Sequence, residues 1–303
     1  DYKVTKVWND ANNQDGKRPE SVTVQLYKKV GDADPVAVEG KKLTLTAKEK
    51  TDDNTWVASF TNLPQYEAGK EITYSIKEVD VPAGYESSVT GQVVTNTYNS
   101  ETVVLSGTKV WKDNNNQDGK RTRSVKVQIL NGEKVVQEIE VSEKTGWKFE
   151  SKKLPKYENG KEIKYTVKEV AVKEYTSTVT TDKDGKYTVT NTHAPEKTSV
   201  KGHKIWKDEE NKDGIRPASI TVKLLADGQD TGKTAVASEA TGWTYEFTDL
   251  DRYKDGQAIE YSVVEVPVDG YTSKVEGFNI TNTHTPEKPT PGKPNEPGKP
   301  GPK

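Results

Sequence analysis

The chain has 303 residues, of which 31% are hydrophobic and 30% charged, and it contains no cysteine. One hydrophobic core rarely organises this many residues, so two or three domains with thin cores are expected. The formal net charge of −2 argues against binding to nucleic acid or to an anionic membrane, since both need a basic surface. Without cysteine there is no disulfide and no thiolate site, and no apolar run is long enough for a membrane helix. The absence of methionine indicates a mature or excised fragment.

Internal repetition organises the chain from its first predicted strand onward. A Lys-Val-Trp or Lys-Ile-Trp motif followed by an Asp-Gly turn occurs three times, with its tryptophan at Trp8, Trp111 and Trp206. Each copy ends on Thr-Asn-Thr, at residues 95–97, 190–192 and 281–283. The repeats predict three homologous modules, which we call the first, second and third, at residues 1–99, 100–196 and 197–285.

Within each module the apolar residues follow the period of a β-strand. Val22, Val24 and Leu26 alternate with polar residues, and the stretch from Ile72 to Ile76 does the same. Turn-forming residues separate these runs, and helical periodicity is not evident in the sequence. About seven short strands in fewer than 100 residues predict an all-β, two-sheet β-sandwich for each module.

Two regions depart from the common repeat. The first module carries an insertion at residues 28–53, which we interpret as a longer loop or an added hairpin, with a dedicated binding loop as the alternative. From residue 286 the composition changes, and seven of the 15 prolines lie in residues 286–303. This segment predicts a disordered, extended spacer of polyproline type, which we favour over an SH3-type ligand.

Three polar residues in each module occupy positions where strand alternation requires an inward side chain. In the opening strand Lys6 lies between Val4 and Trp8 on one face. A glutamate continues the inward phase of a later strand, and an asparagine continues that of the closing strand. Because burying a lone charge costs several kcal/mol, the three side chains are expected to meet. The sets are Lys6, Glu78 and Asn96; Lys109, Glu169 and Asn191; and Lys204, Glu265 and Asn282.

Such a set of residues has two interpretations. In the first, lysine and glutamate form a buried ion pair, and asparagine satisfies the remaining hydrogen bonds. In the second, burial lowers the pKa of the lysine and raises that of the glutamate, so that a neutral amine faces a protonated acid. The amine then attacks the asparagine carboxamide, the glutamate shuttles the proton and ammonia leaves. The product is a Lys-Asn isopeptide crosslink, and the residues alone leave both interpretations open.

Several motifs of the first module form a combination that is more specific than any one of them. They are Lys-Val-Trp-Asn-Asp at residues 6–10, Asp-Gly-Lys-Arg-Pro at 15–19, Leu-Pro-Gln-Tyr at 63–66, Tyr-Ser-Ile-Lys-Glu at 74–78 and Pro-Ala-Gly-Tyr at 82–85. Together with the closing Thr-Asn-Thr, this set resembles the Cna B-type domains, the B repeats of collagen adhesins and the pilin modules of Gram-positive surface proteins. The resemblance extends over all three modules.

The resemblance implies a reversed immunoglobulin-like sandwich whose first-strand lysine is joined to the last-strand asparagine under a catalytic glutamate. Two departures from the family pattern lie in turns and put loop geometry in doubt: Tyr175 lacks the preceding Pro-x-Gly, and Ile215 replaces a lysine. Carried across by motif, the implied crosslinks join Lys6 to Asn96, Lys109 to Asn191 and Lys204 to Asn282, with Glu78, Glu169 and Glu265 as catalysts.

Weaker patterns in the sequence receive structural interpretations. Asp10 and Asp15 lie in a segment that faintly resembles a calcium loop, but the spacing does not fit an EF-hand, and a solvated turn is preferred. His193, His203 and His284 show no paired ligand spacing, so neither a metal site nor a cofactor is predicted. The six tryptophans, two in each module, are interpreted as core residues rather than as carbohydrate platforms.

The expected function is that of a structural stalk in a Gram-positive surface adhesin, without enzymatic turnover. The resemblance implies an extracellular, cell-wall-anchored location and attachment to peptidoglycan through a C-terminal region outside this fragment. It also implies that an N-terminal region outside the fragment binds a host extracellular-matrix protein. In the alternative, the modules themselves bind a matrix protein, through the insertion at residues 28–53 or through an exposed face.

Overall fold

The computed structural model describes residues 1–292, so part of the predicted spacer, residues 293–303, lies outside the described residues. The described chain contains no α-helix, and its strands are accompanied by 3-10 turns at Ala47–Glu49, Glu143–Thr145 and Glu239–Thr241. The all-β prediction is therefore confirmed. Contacts divide the chain into a first compact unit, Asp1–Val110, Arg123–Ala171 and Ser177–Thr190, and a second, Trp111–Thr122, Val172–Thr176 and the chain from Asn191 onward.

The first module folds into two sheets. One has the strand order β4-β5-β1-β9-β8 and the other β3-β2-β7-β6, where the strands are β1 (Tyr2–Asn9), β2 (Ser21–Val30), β3 (Val36–Thr46), β4 (Lys50–Asp52), β5 (Thr55–Phe60), β6 (Tyr66–Glu67), β7 (Lys70–Val79), β8 (Glu86–Thr90) and β9 (Val93–Thr97).

The second module repeats this arrangement with shorter strands. Its two main sheets have the orders β14-β11-β20-β19 and β13-β12-β18, and β10 pairs with β15 and β16 with β17. The strands are β10 (Thr102–Val103), β11 (Ser106–Lys112), β12 (Ser124–Asn131), β13 (Lys134–Ser142), β14 (Lys148–Glu150), β15 (Leu154–Pro155), β16 (Tyr157–Glu158), β17 (Lys161–Glu162), β18 (Tyr165–Glu169), β19 (Thr176–Thr181) and β20 (Tyr187–Thr192).

The third module has the same plan. Its main sheets have the orders β24-β21-β29-β28 and β23-β22-β27, and β25 pairs with β26. The strands are β21 (Lys197–Lys207), β22 (Ser219–Ala226), β23 (Gln229–Ser238), β24 (Thr244–Asp251), β25 (Tyr253–Lys254), β26 (Gln257–Ala258), β27 (Tyr261–Glu265), β28 (Thr272–Glu276) and β29 (Asn279–Thr283).

The first and last strands of the first and third modules are parallel neighbours. β1 lies parallel to β9, with Lys6 opposite Val94 and Trp8 opposite Asn96. Because alternate residues of a strand face the same side, the lysine of β1 and the asparagine of β9 both point into the sandwich. β21 and β29 repeat the register, with Lys204 opposite Ile280 and Trp206 opposite Asn282.

The core between the two sheets is thin and mostly aliphatic and aromatic. Lys6 is completely buried within the first module, where its neighbours on the same strand face, Val4 and Trp8, are also buried. The predicted strand phase of these residues is confirmed. The core of the first module consists of Val4, Trp8, Val22, Val24, Leu26, Leu45, Trp56, Phe60, Ile76, Tyr85 and Val94.

The insertion of the first module extends existing structure. Part of it lengthens the hairpin of β2 and β3, which pair from Ser21 and Thr46 to Lys28 and Val36. The remainder forms β4, an extra edge strand that pairs with β5. The inserted residues therefore lengthen an existing hairpin and add one edge strand, which the sequence did not indicate.

The loop that lacks Pro-x-Gly keeps the backbone conformation of its counterparts. Gly84 has φ +83° and Gly270 has φ +79°, and Glu174 takes the same left-handed region with φ +68°. A non-glycine residue is uncommon there, so the second module holds this turn at a local conformational cost.

Candidate functional site

The candidate site of the first module forms where β1, β7 and β9 bring one polar side chain each into the sandwich. Lys6 is fully buried, and its Nζ donates a hydrogen bond to the Val7 carbonyl at 3.0 Å. The same Nζ lies 3.7 Å from the centre of the Trp8 ring. Removal from water lowers the pKa of Lys6 to about 8, and attraction to Glu78 opposes only part of that fall.

The glutamate and asparagine of the first module contact one another. The Nδ2 of Asn96 donates to Oε1 of Glu78 at 2.8 Å, and Ser87 donates its hydroxyl to Oε2 at 2.7 Å. Asn96 is fully buried, whereas Glu78 is half-buried. The Oδ1 of Asn96 has no hydrogen-bond partner among residues 1–292. Its carboxamide is therefore held through the nitrogen alone.

The third module repeats the contact between asparagine and glutamate. The Nδ2 of Asn282 donates to Oε1 of Glu265 at 2.7 Å, and the Nζ of Lys204 lies 3.9 Å from Oε2 of Glu265. Burial lowers the pKa of Lys204 to about 8. Burial also raises the pKa of Glu265 above its ordinary value, against the opposing effects of Asn282 and Lys204.

The second module differs in its hydrogen bonding. Lys109 and Glu169 lie together, with Nζ and Oε2 3.9 Å apart, and both side chains are completely buried. Lys109 also donates to the Val110 carbonyl at 2.8 Å. The Asn191 side chain is fully buried as well. Within the described residues, neither carboxylate oxygen of Glu169 and neither polar side-chain atom of Asn191 has a hydrogen-bond partner.

The chemistry open to these groups follows from the lowered lysine pKa. With a pKa of about 8, roughly a tenth of the Lys6 side chains are neutral at pH 7, against about one in three thousand for an ordinary lysine. A neutral amine is a nucleophile. The glutamate carboxyl contacts the nitrogen that a carboxamide would lose as ammonia, so it lies where a general acid could protonate that leaving group.

A second polar cluster was missed by the sequence interpretation, which assigned Asp10 to a solvated turn. The structure shows that interpretation to be wrong, because Asp10 is 2% exposed. Arg18 donates to both of its carboxylate oxygens, at 3.1 and 2.7 Å, and Tyr85 donates its hydroxyl at 2.7 Å. Burial alone would raise the pKa of Asp10, but these hydrogen bonds hold it below its ordinary value. The equivalent clusters are Asp113, Arg121 and Tyr175, and Asp208, Arg216 and Tyr271.

The aspartates of the first two Asp-Gly turns also accept hydrogen bonds from the protein backbone. Asp15 and Asp118 are buried and accept backbone N–H groups from Glu101 and Glu196, both at 2.8 Å. No group of three or more metal-ligating side chains exists among residues 1–292. The same residues contain no helix with the length and apolarity that crossing a bilayer requires.

The tryptophans pack at the end of each core beside the aspartate–arginine–tyrosine cluster. In the first module the Trp8 ring centre lies 5.1 Å from that of Trp56 and 5.3 Å from that of Tyr85. Both tryptophans are buried, and Trp206 and Trp243 pack against the core of the third module. The core interpretation is confirmed for these four residues.

The repeats match a known domain family. The model of the Cna protein B-type domain matches residues 2–97, 105–192 and 200–283. The chain belongs to this family. The prediction of tandem Cna B-type sandwiches is therefore confirmed.

Relatives of these Cna B-type modules include a staphylococcal surface protein. The chain is 42% identical over 301 residues to a collagen adhesin of Staphylococcus aureus, a match that covers 97% of this chain and 24% of the relative. The chain thus spans about a quarter of the length of that curated relative. It is also similar to the crystal structure of two B repeat units of the S. aureus collagen binding protein, at 38% identity, with a TM-score of 0.54 and coverage of 93% of this chain and 74% of that one.

Proposed function

We propose that each module closes itself with an isopeptide bond between the lysine of its first strand and the asparagine of its last strand. The observation that carries the proposal is the buried lysine of lowered pKa beside a glutamate that contacts the asparagine carboxamide, as in Lys204, Glu265 and Asn282. The proposed bonds join Lys6 to Asn96, Lys109 to Asn191 and Lys204 to Asn282.

The proposed reaction balances without an external reagent. The neutral amine of Lys6 attacks Cγ of Asn96, and a Cγ–Nζ bond forms while the Cγ–Nδ2 bond breaks. Glu78 receives a proton from the attacking nitrogen and delivers one to the departing Nδ2, which leaves as ammonia. The carboxyl ends as it began, so the reaction occurs once in each module and there is no turnover. The chain is proposed to act on itself and on no external substrate.

The position of the bond suggests a mechanical role. β1 and β9 are the terminal strands of the first module, and they are parallel neighbours. A covalent link between them would carry tension from one end of the module to the other without loading the remaining strands. By analogy with disulfides, closing a loop of about 100 residues contributes up to about 4–5 kcal/mol to stability in the chain-entropy model.

We further propose that the modules form the stalk of a surface adhesin. The similar S. aureus protein is named a collagen adhesin, and this chain corresponds to about a quarter of its length. The proposal places the chain outside the cell, attached to the cell wall through a region beyond this segment, with matrix binding performed by another region. The low hydrophobic content and the absence of disulfides support a module that needs a different covalent staple.

Peptide mapping tests the crosslink at each site. A tryptic digest of the intact chain should contain a branched peptide in which Lys6 is joined to Asn96, and trypsin should fail to cleave after Lys6. Lys6→Arg is the matched control, since arginine keeps a positive charge but supplies no nucleophile. This variant should lose the first branched peptide and keep the other two. A linear peptide that ends at Lys6 in the unmodified chain would contradict the proposal.

Binding measurements test the stalk assignment separately. The 303-residue chain is expected to show no saturable binding to immobilised collagen or fibronectin. A variant with a shortened hairpin between Lys28 and Val36 serves as a control for the inserted segment. Saturable binding that the shortened variant loses would overturn the passive stalk and assign adhesion to the module itself.

A further inference from the structure

The first unit contains a close joint between the first and second modules. The Asp-Gly turn of the first module packs against the β16–β17 hairpin of the second, and a Cβ atom added at Gly16 would lie 2.6 Å from the Gly160 Cα. The N–H of Gly160 donates to the Gln14 carbonyl at 2.9 Å. Only two glycines allow the backbones to approach this closely.

The second unit contains the same joint between the second and third modules. A Cβ atom added at Gly119 would lie 2.7 Å from the Gly256 Cα, and the Gly256 N–H donates to the Gln117 carbonyl at 2.9 Å. The side chain of Gln117 also donates to the Tyr253 carbonyl at 3.2 Å. The repetition of one contact at two places indicates a specific docking mode between a turn and a hairpin.

The linker residue between two modules forms backbone hydrogen bonds to both of them. The Glu101 N–H donates to Asp15 of the preceding module at 2.8 Å, and the Glu101 carbonyl accepts the N–H of Lys156 at 2.9 Å. Glu196 makes the equivalent bonds to Asp118 and Arg252, at 2.8 and 3.1 Å. The aspartate therefore fixes the linker that carries the next module.

The first module has the hairpin half of this joint, but no turn of another module docks on it within residues 1–292. Its β6–β7 hairpin keeps the turn conformation of the other two, with φ +50° at Ala68, as at Asn159, and +51° at Asp255. Apart from Gly69 and its two chain neighbours, no heavy atom among residues 1–292 lies within 4 Å of a Cβ position at Gly69. Tyr66 is 59% exposed, whereas its counterparts at the two joints are half-buried.

The turn of the third module differs from the two that dock. In the two turns that dock, the Nζ of Lys17 lies 6.0 Å from the centre of the Tyr157 ring, and the Nζ of Lys120 lies 5.1 Å from that of Tyr253. Ile215 occupies the corresponding position in the third module. It packs against Gly270 of the same module, and its Cδ1 lies 2.8 Å from the position that a Cβ atom at Gly270 would take. This turn lacks the cation that accompanies both observed contacts.

We propose that the Tyr66–Gly69 hairpin is a docking site for the Asp-Gly-Lys turn of a further Cna B-type module joined ahead of residue 1. Both observed occupants of this hairpin type are such turns. The lysine beside Tyr157 and Tyr253 favours an occupant with Asp-Gly-Lys over the Asp-Gly-Ile turn of a second copy's third module.

Amide hydrogen exchange, measured by NMR on the full chain and on an extended chain, tests the proposal. The extended chain carries a copy of residues 100–198 directly before residue 1, which reproduces the spacing of the joint between the second and third modules. In the full chain Gly160 and Gly256 should be protected and Gly69 should exchange freely. In the extended chain exchange at Gly69 should slow at least tenfold.

Two controls keep the result specific. Lys120→Ile in the added copy reproduces the turn of the third module and should return much of the Gly69 exchange rate, whereas exchange at Gly160 and Gly256 should not change. Exchange at Gly69 that is equally fast in both chains would overturn the proposal. Protection that instead grows with the concentration of the unextended chain would also overturn it, because the occupant would then be the Gly214 turn of a second copy.

Discussion

The candidate site of the second module differs from those of the first and third in how its glutamate is satisfied. Glu78 is half-buried and accepts hydrogen bonds from Asn96 and Ser87. Glu169 is completely buried beside Lys109, and neither of its oxygens has a hydrogen-bond partner in the part of the chain that the structure describes. One residue pattern therefore produces two electrostatic environments.

This difference between Glu78 and Glu169 indicates which energetic cost a crosslink would remove, namely that of burying charged groups. A buried carboxylate without hydrogen bonds is costly, because the attraction of Lys109 must offset the loss of its hydration. Conversion of Lys109 and Asn191 to an amide would remove the buried lysine charge. The stabilisation from the proposed bond should therefore be larger in the second module than in the first.

Removal of the proposed catalytic glutamate should give the largest difference in stability between the modules. Glu169→Ala leaves Lys109 buried without its counter-charge and should prevent the proposed crosslink, so we expect the second module to lose about 4–5 kcal/mol or more. Glu78→Ala should cost less, since Glu78 is half-buried. Urea unfolding followed by limited proteolysis with peptide mass spectrometry would report each module separately. Glu276→Ala, at an exposed surface pair, is the control. Equal losses in both modules would remove the distinction.

Disruption of the aspartate–arginine–tyrosine cluster should destabilise the first module more than the second, the reverse of the order expected for the glutamate variants. Arg18→Ala leaves Asp10 buried without its partner, and a loss of about 3 kcal/mol is expected. Arg18 also donates to the Asp53 carbonyl, at the end of the inserted segment, and to the side chain of the next residue, Asn54, so its removal should cost more than Arg121→Ala. Proteolysis in urea measures both variants, and Arg18→Lys tests the need for a two-pronged donor. A greater loss for Arg121→Ala would contradict the ranking.

In protein without the proposed crosslink, the pH dependence of stability should report the lowered pKa of Lys6. In Asn96→Ala, Lys6 keeps its amine and a folded-state pKa of about 8, below its value in the unfolded chain. Between pH 8 and about 10.5 the unfolded state binds more protons, so stability should rise with pH by roughly 2–3 kcal/mol and be flat below pH 8. The double variant Asn96→Ala/Lys6→Met is the reference, because it lacks the Lys6 amine but keeps every other titrating group. A stability difference between the two that falls across this range would exclude a lowered pKa.

The smallest expected effect concerns the strained loop of the second module. Glu174→Gly places a glycine at φ +68° and should stabilise the module by roughly 0.5–1 kcal/mol, because the left-handed conformation no longer carries a side-chain cost. Lys173→Gly, at a neighbouring position without positive φ, should instead destabilise it slightly. Thermal unfolding of the two variants measures the difference. If both glycines were destabilising, the loop would not be strained.

Sequence reasoning predicted the fold and the inward position of the lysines because both follow from short-range periodicity. Strand alternation places Lys6 between Val4 and Trp8, and the three repeats mark each module. The burial of Asp10 was not predictable in the same way, because its partner Tyr85 lies 75 positions away. A repeated aspartate–arginine spacing was nevertheless present in all three copies. The different hydrogen bonding of Glu78 and Glu169 depends on side-chain geometry that no residue pattern records.

The measurement that tests the central claim most directly is the intact mass of the 303-residue chain. Each Lys-Asn bond releases one ammonia, so three complete bonds should lower the mass by about 51 Da relative to the sequence. Glu78→Ala, Glu169→Ala and Glu265→Ala should each recover about 17 Da of that deficit, after correction for the substitution. A chain whose mass equals that of the unmodified sequence would contradict the account.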